Sequence, residues 1–140
     1  MKMLAFVALS ALIALALAAP TASDAALSRS LVGTWLTDTS EEKDWVGETT
    51  FNADGTGVDL VYKHDGPKSS GFKVTMRWSV KDGVLIYTAV DSTDSQRAPI
   101  GLTLQDRIIS ISTSRFTYEL YKGYSPNAVG HRSTKVRKLS

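Results

Sequence analysis

The segment Phe72-Lys73-Val74-Thr75-Met76-Arg77-Trp78-Ser79-Val80 decides the fold, because apolar and polar residues alternate along its whole length. Successive side chains of a β-strand point to opposite faces, so the pattern predicts a strand with one buried face. Lys81-Asp82-Gly83 follows, and Asp-Gly accepts the positive φ angles that a tight hairpin turn needs. Residues 84–90 predict the returning strand, and the two strands together predict one hairpin of an antiparallel sheet.

The same order of strand, turn and strand is found on both sides of this hairpin. Residues 48–52 and 56–63 flank a turn at Ala53-Asp54-Gly55. No stretch after the N-terminal region shows a helical period over three turns. About eight short strands joined by polar turns are typical of a sandwich or a closed barrel, and consecutive connections favour the barrel because closure leaves no sheet edge exposed. The predicted fold is all-β, an antiparallel up-and-down barrel of about eight strands within residues 23–122. The remaining predicted strands are 31–37, 99–104, 107–113 and 115–121.

Residues 1–22 have the composition of a cleaved signal peptide. Lys2 gives a positive start, and the run 3–19 is uncharged and mostly apolar. Ala16-Leu17-Ala18 has the small residues that a signal peptidase needs, and Ser23-Asp24-Ala25 is a second candidate, so we expect cleavage between about 18 and 25. A membrane anchor is the alternative. It is disfavoured because the run is shorter than the ~20 apolar residues that a bilayer core needs. We therefore expect a secreted or periplasmic protein without a transmembrane span.

Composition and charge limit the remaining classes. The chain has no Cys, so packing and strand pairing alone must stabilise the domain. Residues 23–130 carry 11 Lys and Arg against 14 Asp and Glu, whereas residues 131–140 carry 4 basic residues and no acid. We expect residues 123–140 to form a basic, flexible tail. Basic residues without interleaved aromatic side chains do not indicate specific nucleic-acid binding.

Residues suited to catalysis or metal binding are few. His64 and His131 are the only histidines, and no set of His, Cys or carboxylate ligands converges in the sequence. The densest acidic cluster, at 41–44, is interpreted as a solvated loop. The sequence therefore predicts a non-catalytic protein with neither metal nor cofactor. An enzyme that pairs carboxylates distant in sequence is the minor alternative.

The segment Leu31-Val32-Gly33-Thr34-Trp35 resembles the Gly-x-Trp signature of lipocalins. The segments 50–57 and 78–85 are similar to those of small bacterial lipocalin-like proteins, and the likeness extends over residues 30 to about 121. In that family the Trp packs across the closed end of the barrel, and an Arg from the last strands covers it. The resemblance therefore implies that Gly33 and Trp35 close the barrel, with Arg115 or Arg107 over the Trp ring.

The inward-facing residues form the candidate binding site. They either only fill the core or line a pocket for one small apolar or aromatic molecule, since an eight-stranded barrel has room for little more. We expect ligand contacts from the aromatic and flexible members, Tyr62, Phe72, Met76, Trp78, Phe116 and Tyr118. The full inward set predicted from alternation is Val58, Leu60, Tyr62, Phe72, Val74, Met76, Trp78, Ile100, Leu102, Ile109, Ile111, Phe116 and Tyr118.

Two functions of different classes follow from these expectations. The first is an exported, non-catalytic protein that carries or sequesters a small apolar or aromatic ligand inside its barrel. The second is a protein-interaction module, such as an exported hydrolase inhibitor or an envelope-assembly factor, with a filled barrel. That module would bind through the loops 38–45 and 64–71 or through residues 23–30. The family likeness favours the first function.

Overall fold

The structure is a computed structural model and describes residues 22–40 and 43–140. A helix, α1 (Ala22–Leu31), precedes eight antiparallel strands that close into a barrel in chain order, which confirms the predicted up-and-down fold. Almost all of the predicted signal peptide, residues 1–22, lies outside the described residues. The strands are β1 (Gly33–Thr37), β2 (Trp45–Phe51), β3 (Thr56–Lys63), β4 (Phe72–Lys81), β5 (Val84–Ser92), β6 (Thr103–Ile111), β7 (Arg115–Lys122) and β8 (Arg132–Arg137).

The hairpin of β4 and β5 forms where the alternating segment predicts it. Lys81 pairs with Val84 across a turn in which Asp82 has φ 52° and Gly83 has φ 73°. Positive φ at both central residues matches the right-handed twist of the two strands, so the turn fixes their register. Val74, Met76 and Trp78 of β4 are buried, as the alternation requires.

The last strands differ from those predicted. Residues 99–104 and 107–113 do not form two strands, because the single strand β6 runs from the end of the first segment through most of the second, and 99–102 lie in the connection before it. The eighth strand is β8, which lies in the segment 123–140 that was predicted to be a flexible tail. β8 pairs with β7 and β1, so the barrel extends to residue 137 and depends on this strand for closure. Its inward positions are polar, which is why alternation did not identify it.

The helix α1 was not predicted. Among the described side chains of α1, Asp24 and Leu31 alone are buried, and two positions in so short a helix give no visible period. The Asp24 carboxylate accepts hydrogen bonds from the backbone N–H groups of Asp82 (2.9 Å) and Gly83 (3.0 Å). These bonds anchor α1 to the β4–β5 turn. No helix in the described part of the chain has the length and apolar character needed to cross a membrane.

The two ends of the barrel differ in their connections. The end that α1 covers is called the closed end; the opposite end, with longer connections, is called the loop end. The strands are joined at the closed end by the short turns 52–55, 82–83 and 112–114. They are joined at the loop end by the segments 38–44, 64–71, 93–102 and 123–131, of which residues 41 and 42 are not described.

Aromatic and aliphatic side chains fill the closed end. The rings of Trp35 and Phe116 meet edge to face with centroids 5.9 Å apart, and those of Phe51 and Trp78 meet in the same way at 5.1 Å. The Trp78 indole N–H donates to the backbone carbonyls of Asn52 and Thr56, at 3.1 and 2.9 Å. Leu31, at the end of α1, is completely buried against this cluster.

β3 faces the opposite way from the prediction. Asp59 pairs with Thr49 on one side and with Val74 on the other, and both partners are buried. The inward residues of β3 are therefore Gly57, Asp59 and Val61. A change of one residue in phase moves every side chain to the other face. The prediction was therefore wrong for Val58, Leu60 and Tyr62, which lie on the outer face of β3. It was also wrong for two residues outside β3, Ile100 and Ile109, which are exposed by 65% and 39%.

Candidate functional site

Trp35 is fully buried at the closed end, where Arg137 of β8 covers it. The Arg137 guanidinium lies 4.2 Å from the centre of the Trp35 ring and donates hydrogen bonds to the carbonyls of Val32 (2.9 Å) and Ser30 (2.8 Å). Gly33 has φ 128°, and a Cβ at this position would collide with the same guanidinium. Gly33 is therefore required both by its backbone angle and by the position of Arg137.

Arg115, which the lipocalin resemblance placed over the Trp, is not the covering residue. Its guanidinium instead binds the Asp38 carboxylate at 3.1 Å, and its side chain is largely exposed. Arg107, the other candidate, stacks on the Tyr121 ring at 4.4 Å. The prediction was wrong because β8, which carries Arg137, had been assigned to the tail.

Two adjoining cavities lie in the barrel between the closed end and the loops. The inner cavity has a volume of about 100 Å³ and a mixed polar and aromatic lining. The outer cavity has a volume of about 180 Å³ and a mainly aliphatic lining. Asp59, Met76 and Tyr87 line both. Arg97 and Ala98, from the segment 93–102, line only the outer cavity, which therefore lies nearer the loop end.

Four of the six predicted ligand-binding residues line these cavities. Phe72 and Met76 contribute to the outer cavity, and Met76, Phe116 and Tyr118 to the inner one. The other two, Tyr62 and Trp78, line neither cavity. Tyr62 is on the outer face of β3, where the Lys68 ammonium lies 5.5 Å from its ring. Trp78 is part of the packed cluster at the closed end.

A hydrogen-bond network forms the polar wall of the inner cavity. The buried Asp106 carboxylate accepts hydrogen bonds from the hydroxyls of Tyr124 (2.6 Å) and Tyr87 (3.1 Å), and these two hydroxyls are 2.5 Å apart. Asp59, across the barrel on β3, accepts a hydrogen bond from the Thr49 hydroxyl at 2.8 Å. Two carboxylates therefore face the same small space.

Lys135 is the cation of the inner cavity. It pairs with Thr37 of β1 and with the buried Phe116 of β7, so its side chain points into the barrel. Asp59 and Asp106 both act on its charge through space. Neither carboxylate forms a direct ion pair with it, within the described residues. The three charged groups thus share one cavity while direct contacts between them are absent.

Burial changes the pKa values in this network. Desolvation raises the pKa of Asp106 to about 6, although the hydrogen bonds from Tyr124 and Tyr87 act in the opposite direction. Burial also raises the pKa of both tyrosines, and the Asp106 charge adds to that effect. The pKa of Lys135 is lowered by burial, against the attraction of the two carboxylates. Asp106 therefore changes charge just below neutral pH.

Sequence reasoning missed the polar members of this site. Alternation placed Asp59 on the outer face of its strand, Asp106 fell between two predicted strands, and Lys135 was assigned to the tail. One signal was available: Asp59 stands inside the predicted strand 56–63 rather than in a turn. A charged residue inside a strand, once the register places it inward, indicates a buried polar site.

Aromatic and cationic side chains surround the loop side of the outer cavity. The Arg97 guanidinium lies 5.3 Å from the Trp45 ring centre and 5.7 Å from that of Phe72. Its Nε is 3.5 Å from the Asp94 carboxylate, and the Lys63 ammonium lies 5.8 Å from the Trp45 ring on β2. Arg97 is thus already engaged by an acidic group and two rings.

No group of three metal-ligating side chains is found among residues 22–40 and 43–140. Glu41 and Glu42 of the acidic cluster lie outside those ranges. No family model matches this chain, and neither a related curated protein nor a similar solved structure was found.

Proposed function

We propose that this chain is an exported, non-catalytic protein that holds one small, mainly apolar molecule inside its barrel. The observation that carries the proposal is the pair of adjoining cavities. A barrel packed only for stability has its interior filled by side chains, because an empty cavity costs free energy. Here an aliphatic chamber leads to a few converging polar groups, which is the usual composition of a small-molecule site.

The cavity volumes limit the size of the ligand. An apolar cavity of about 150 Å³ is known to accept benzene. The outer cavity, at about 180 Å³, therefore suits one aromatic ring or a short aliphatic chain. The inner cavity, at about 100 Å³, suits a head group of a few atoms. The Gly33 and Trp35 arrangement, covered by Arg137, supports a lipocalin-like protein, a class whose barrels bind such molecules.

Export is supported by the apolar composition of residues 1–22. Of the two candidate cleavage sites, the one at Ser23-Asp24-Ala25 would remove Asp24 and with it both hydrogen bonds to the β4–β5 turn. We therefore place cleavage before Asp24, close to Ala16-Leu17-Ala18, so that the mature chain keeps the anchor of α1.

Native mass spectrometry of the mature protein, purified without detergent from its exported compartment, tests the whole proposal. We expect a mature N-terminus upstream of Asp24 and a bound small molecule. Ala89→Phe, which fills the outer cavity, removes the bound mass, whereas Ile86→Phe on the outer face of the same strand keeps it. A protein that is free of ligand both from its own compartment and after incubation with small aromatic molecules contradicts the proposal.

A protein partner is the second candidate, and one observation favours it. Asp44 of the segment 38–45 lies beside His64 of the segment 64–71, since the His64 N–H donates to the Asp44 carbonyl at 3.0 Å. Beside them, a groove of about 380 Å³ on the outer wall is lined by Val46 and Tyr62. In this case Tyr62→Ser abolishes partner capture and Ala89→Phe does not, which is the reverse of the pattern expected for a ligand inside the barrel.

A further inference from the structure

The charges around the inner cavity do not balance. Asp59 and Asp106 place two carboxylates on its wall, and Lys135 supplies the single ammonium. With Asp106 ionised, the cavity therefore carries one excess negative charge, and loss of the Lys135 proton would increase that excess. An uncompensated charge inside a protein is costly unless it is paired. The inner cavity thus has a deficit of one positive charge.

The two cavities also differ in polarity along the barrel axis. The outer cavity is lined mainly by aliphatic side chains such as Val61 and Leu104, with Arg97 at its loop side, whereas Asp106 and Lys135 line only the inner one. A ligand with a polar head and an apolar body would therefore bind head first, with its body towards the loops. Asp59 lines both cavities, so its carboxylate lies where head and body would join.

We infer that the ligand is a small amine, whose ammonium enters the inner cavity and binds the carboxylates of Asp59 and Asp106 while its apolar body fills the outer cavity. This inference rests on the proposed function and names the chemical class of the ligand. The ammonium supplies the missing positive charge and donates hydrogen bonds to carboxylate oxygens, which accept more than one donor each.

A carboxylate head does not fit the same site. It would bring a third negative group beside Asp59 and Asp106, and Lys135 alone would have to balance all three. At the loop side, Arg97 is the cation nearest the outer cavity, but Asp94 and the rings of Trp45 and Phe72 already engage it. A neutral alcohol fits by size but leaves the excess charge unpaired.

The charge of Asp106 makes amine binding dependent on pH. Groups on every neighbouring element face this carboxyl: Tyr87 on β5, Tyr118 on β7, Tyr124 in the loop 123–131, Asp59 on β3 and Lys135 on β8. Desolvation by burial changes the pKa of Asp106 more than any of these groups does, so the carboxyl takes up a proton near pH 6. Below that pH the excess negative charge disappears, and with it the preference for an ammonium.

Three probes of nearly equal shape and different charge test the inference: 2-phenylethylamine, 2-phenylethanol and phenylacetate. Their dissociation constants for the mature protein are measured by titration calorimetry at pH 7.5 and pH 5. We expect the amine to bind about tenfold more tightly than the alcohol at pH 7.5, the difference between a charge-assisted and a neutral hydrogen bond. The preference falls towards parity at pH 5, while the affinity for the alcohol stays constant.

Two variants move the preference in opposite directions. Asp106→Asn removes one carboxylate while its amide can still hydrogen-bond with both tyrosine hydroxyls, so the tenfold preference is lost. Lys135→Met removes the competing cation, so amine affinity rises while alcohol affinity stays near the wild-type value. Asp91→Asn and Lys138→Met make the same charge changes outside the cavities and leave the ratio unchanged. Asp59→Asn is a second carboxylate variant for the case in which Asp106→Asn does not fold.

The outcomes separate this inference from the proposed function. Equal affinity for amine and alcohol, or tighter binding of phenylacetate, overturns the amine inference and leaves a small-molecule carrier in place. Loss of amine binding in Lys135→Met also overturns it, because the ammonium of Lys135 would then be a positive contact for the ligand. Failure of all three probes to bind, together with ligand-free protein in native mass spectrometry, overturns both.

Discussion

The closed end and the loop end of this barrel have the same strands but different interiors. At the closed end, Leu31, Trp35 and Phe116 are almost completely buried, and Arg137 covers the Trp ring. Towards the loop end, inward positions of the same sheet hold charged side chains around two cavities. The closed end therefore gains stability from its buried apolar groups, whereas the interior towards the loop end lacks this contribution.

This difference indicates where stability and binding reside. Cavities and buried charges reduce stability, and folds keep them mainly where a site needs them. The network of Asp106 with two tyrosine hydroxyls satisfies the carboxylate without filling the space beside it. We therefore expect substitutions at the closed end to change the free energy of unfolding, and substitutions around the cavities to change ligand affinity first.

The largest effect is expected for Trp35→Ala, compared with Trp45→Ala at the loop end. Removing the fully buried Trp35 leaves a large cavity in the packed cluster and should lower the free energy of unfolding by about 3–5 kcal/mol. Trp45 is half-buried between Lys63 and Arg97, so its replacement should cost less than about 1 kcal/mol. Urea unfolding followed by circular dichroism measures both. Equal losses would show that the two ends contribute equally to stability.

The second-largest effect distinguishes Arg137 from Arg115 as the residue that covers the Trp35 ring. Arg137→Gln removes the cation over Trp35 and the hydrogen bonds to Val32 and Ser30, and should cost about 3 kcal/mol. Arg115→Gln removes only an exposed ion pair with Asp38 and should leave the urea midpoint unchanged. A shift of the midpoint by Arg115→Gln as large as that by Arg137→Gln would contradict the assignment of Arg137 as the residue that closes the barrel.

The sequence alone predicts those parts of the fold in which inward-facing residues are apolar and outward-facing residues are polar. Along β4, every inward residue is apolar, and the Asp82-Gly83 turn fixes the register of the hairpin, so alternation identified both strands. The Gly33 and Trp35 motif was likewise interpretable, because a glycine permits close backbone approach and the large aromatic ring two residues later can fill one end of a barrel.

The sequence alone does not predict the direction of strands in which polar residues face inward or apolar residues face outward. In β8 the inward residues are Ser133, Lys135 and Arg137, so the strand resembles a basic tail. In β3 apolar residues occupy both faces, and only its pairing with β2 and β4 shows that Asp59 points inward. The charged residues of the candidate site lie on these two strands and on β6, so the inward polar residues that obscured β8 and the direction of β3 also hid the charged part of the site.

The smallest effect concerns pH and follows from Asp106. Its pKa in the folded protein is about 6, above the ordinary value of 3.8, because burial disfavours the charged carboxylate. As pH rises from 4 to 6, the unfolded chain releases this proton before the folded protein does. The unfolded state is therefore favoured by about 2 kcal/mol once pH passes 6, and the stability that the protonated Asp106 provides at low pH is lost.

Asp106→Asn isolates this contribution, since an amide does not titrate. Hydrogen bonds lower the pKa values of carboxyls such as Asp38 and Glu48, so the stability that these groups give the folded protein is lost as pH falls. In the wild type this loss opposes the effect of Asp106. The informative quantity is thus the wild-type free energy of unfolding minus that of Asp106→Asn, measured by urea unfolding at pH 4, 5, 6 and 7. This difference should fall as pH rises through this window. A flat line for Asp106→Asn would mean that Asp106 is solvated, and the closed end and the cavities would then differ in packing alone.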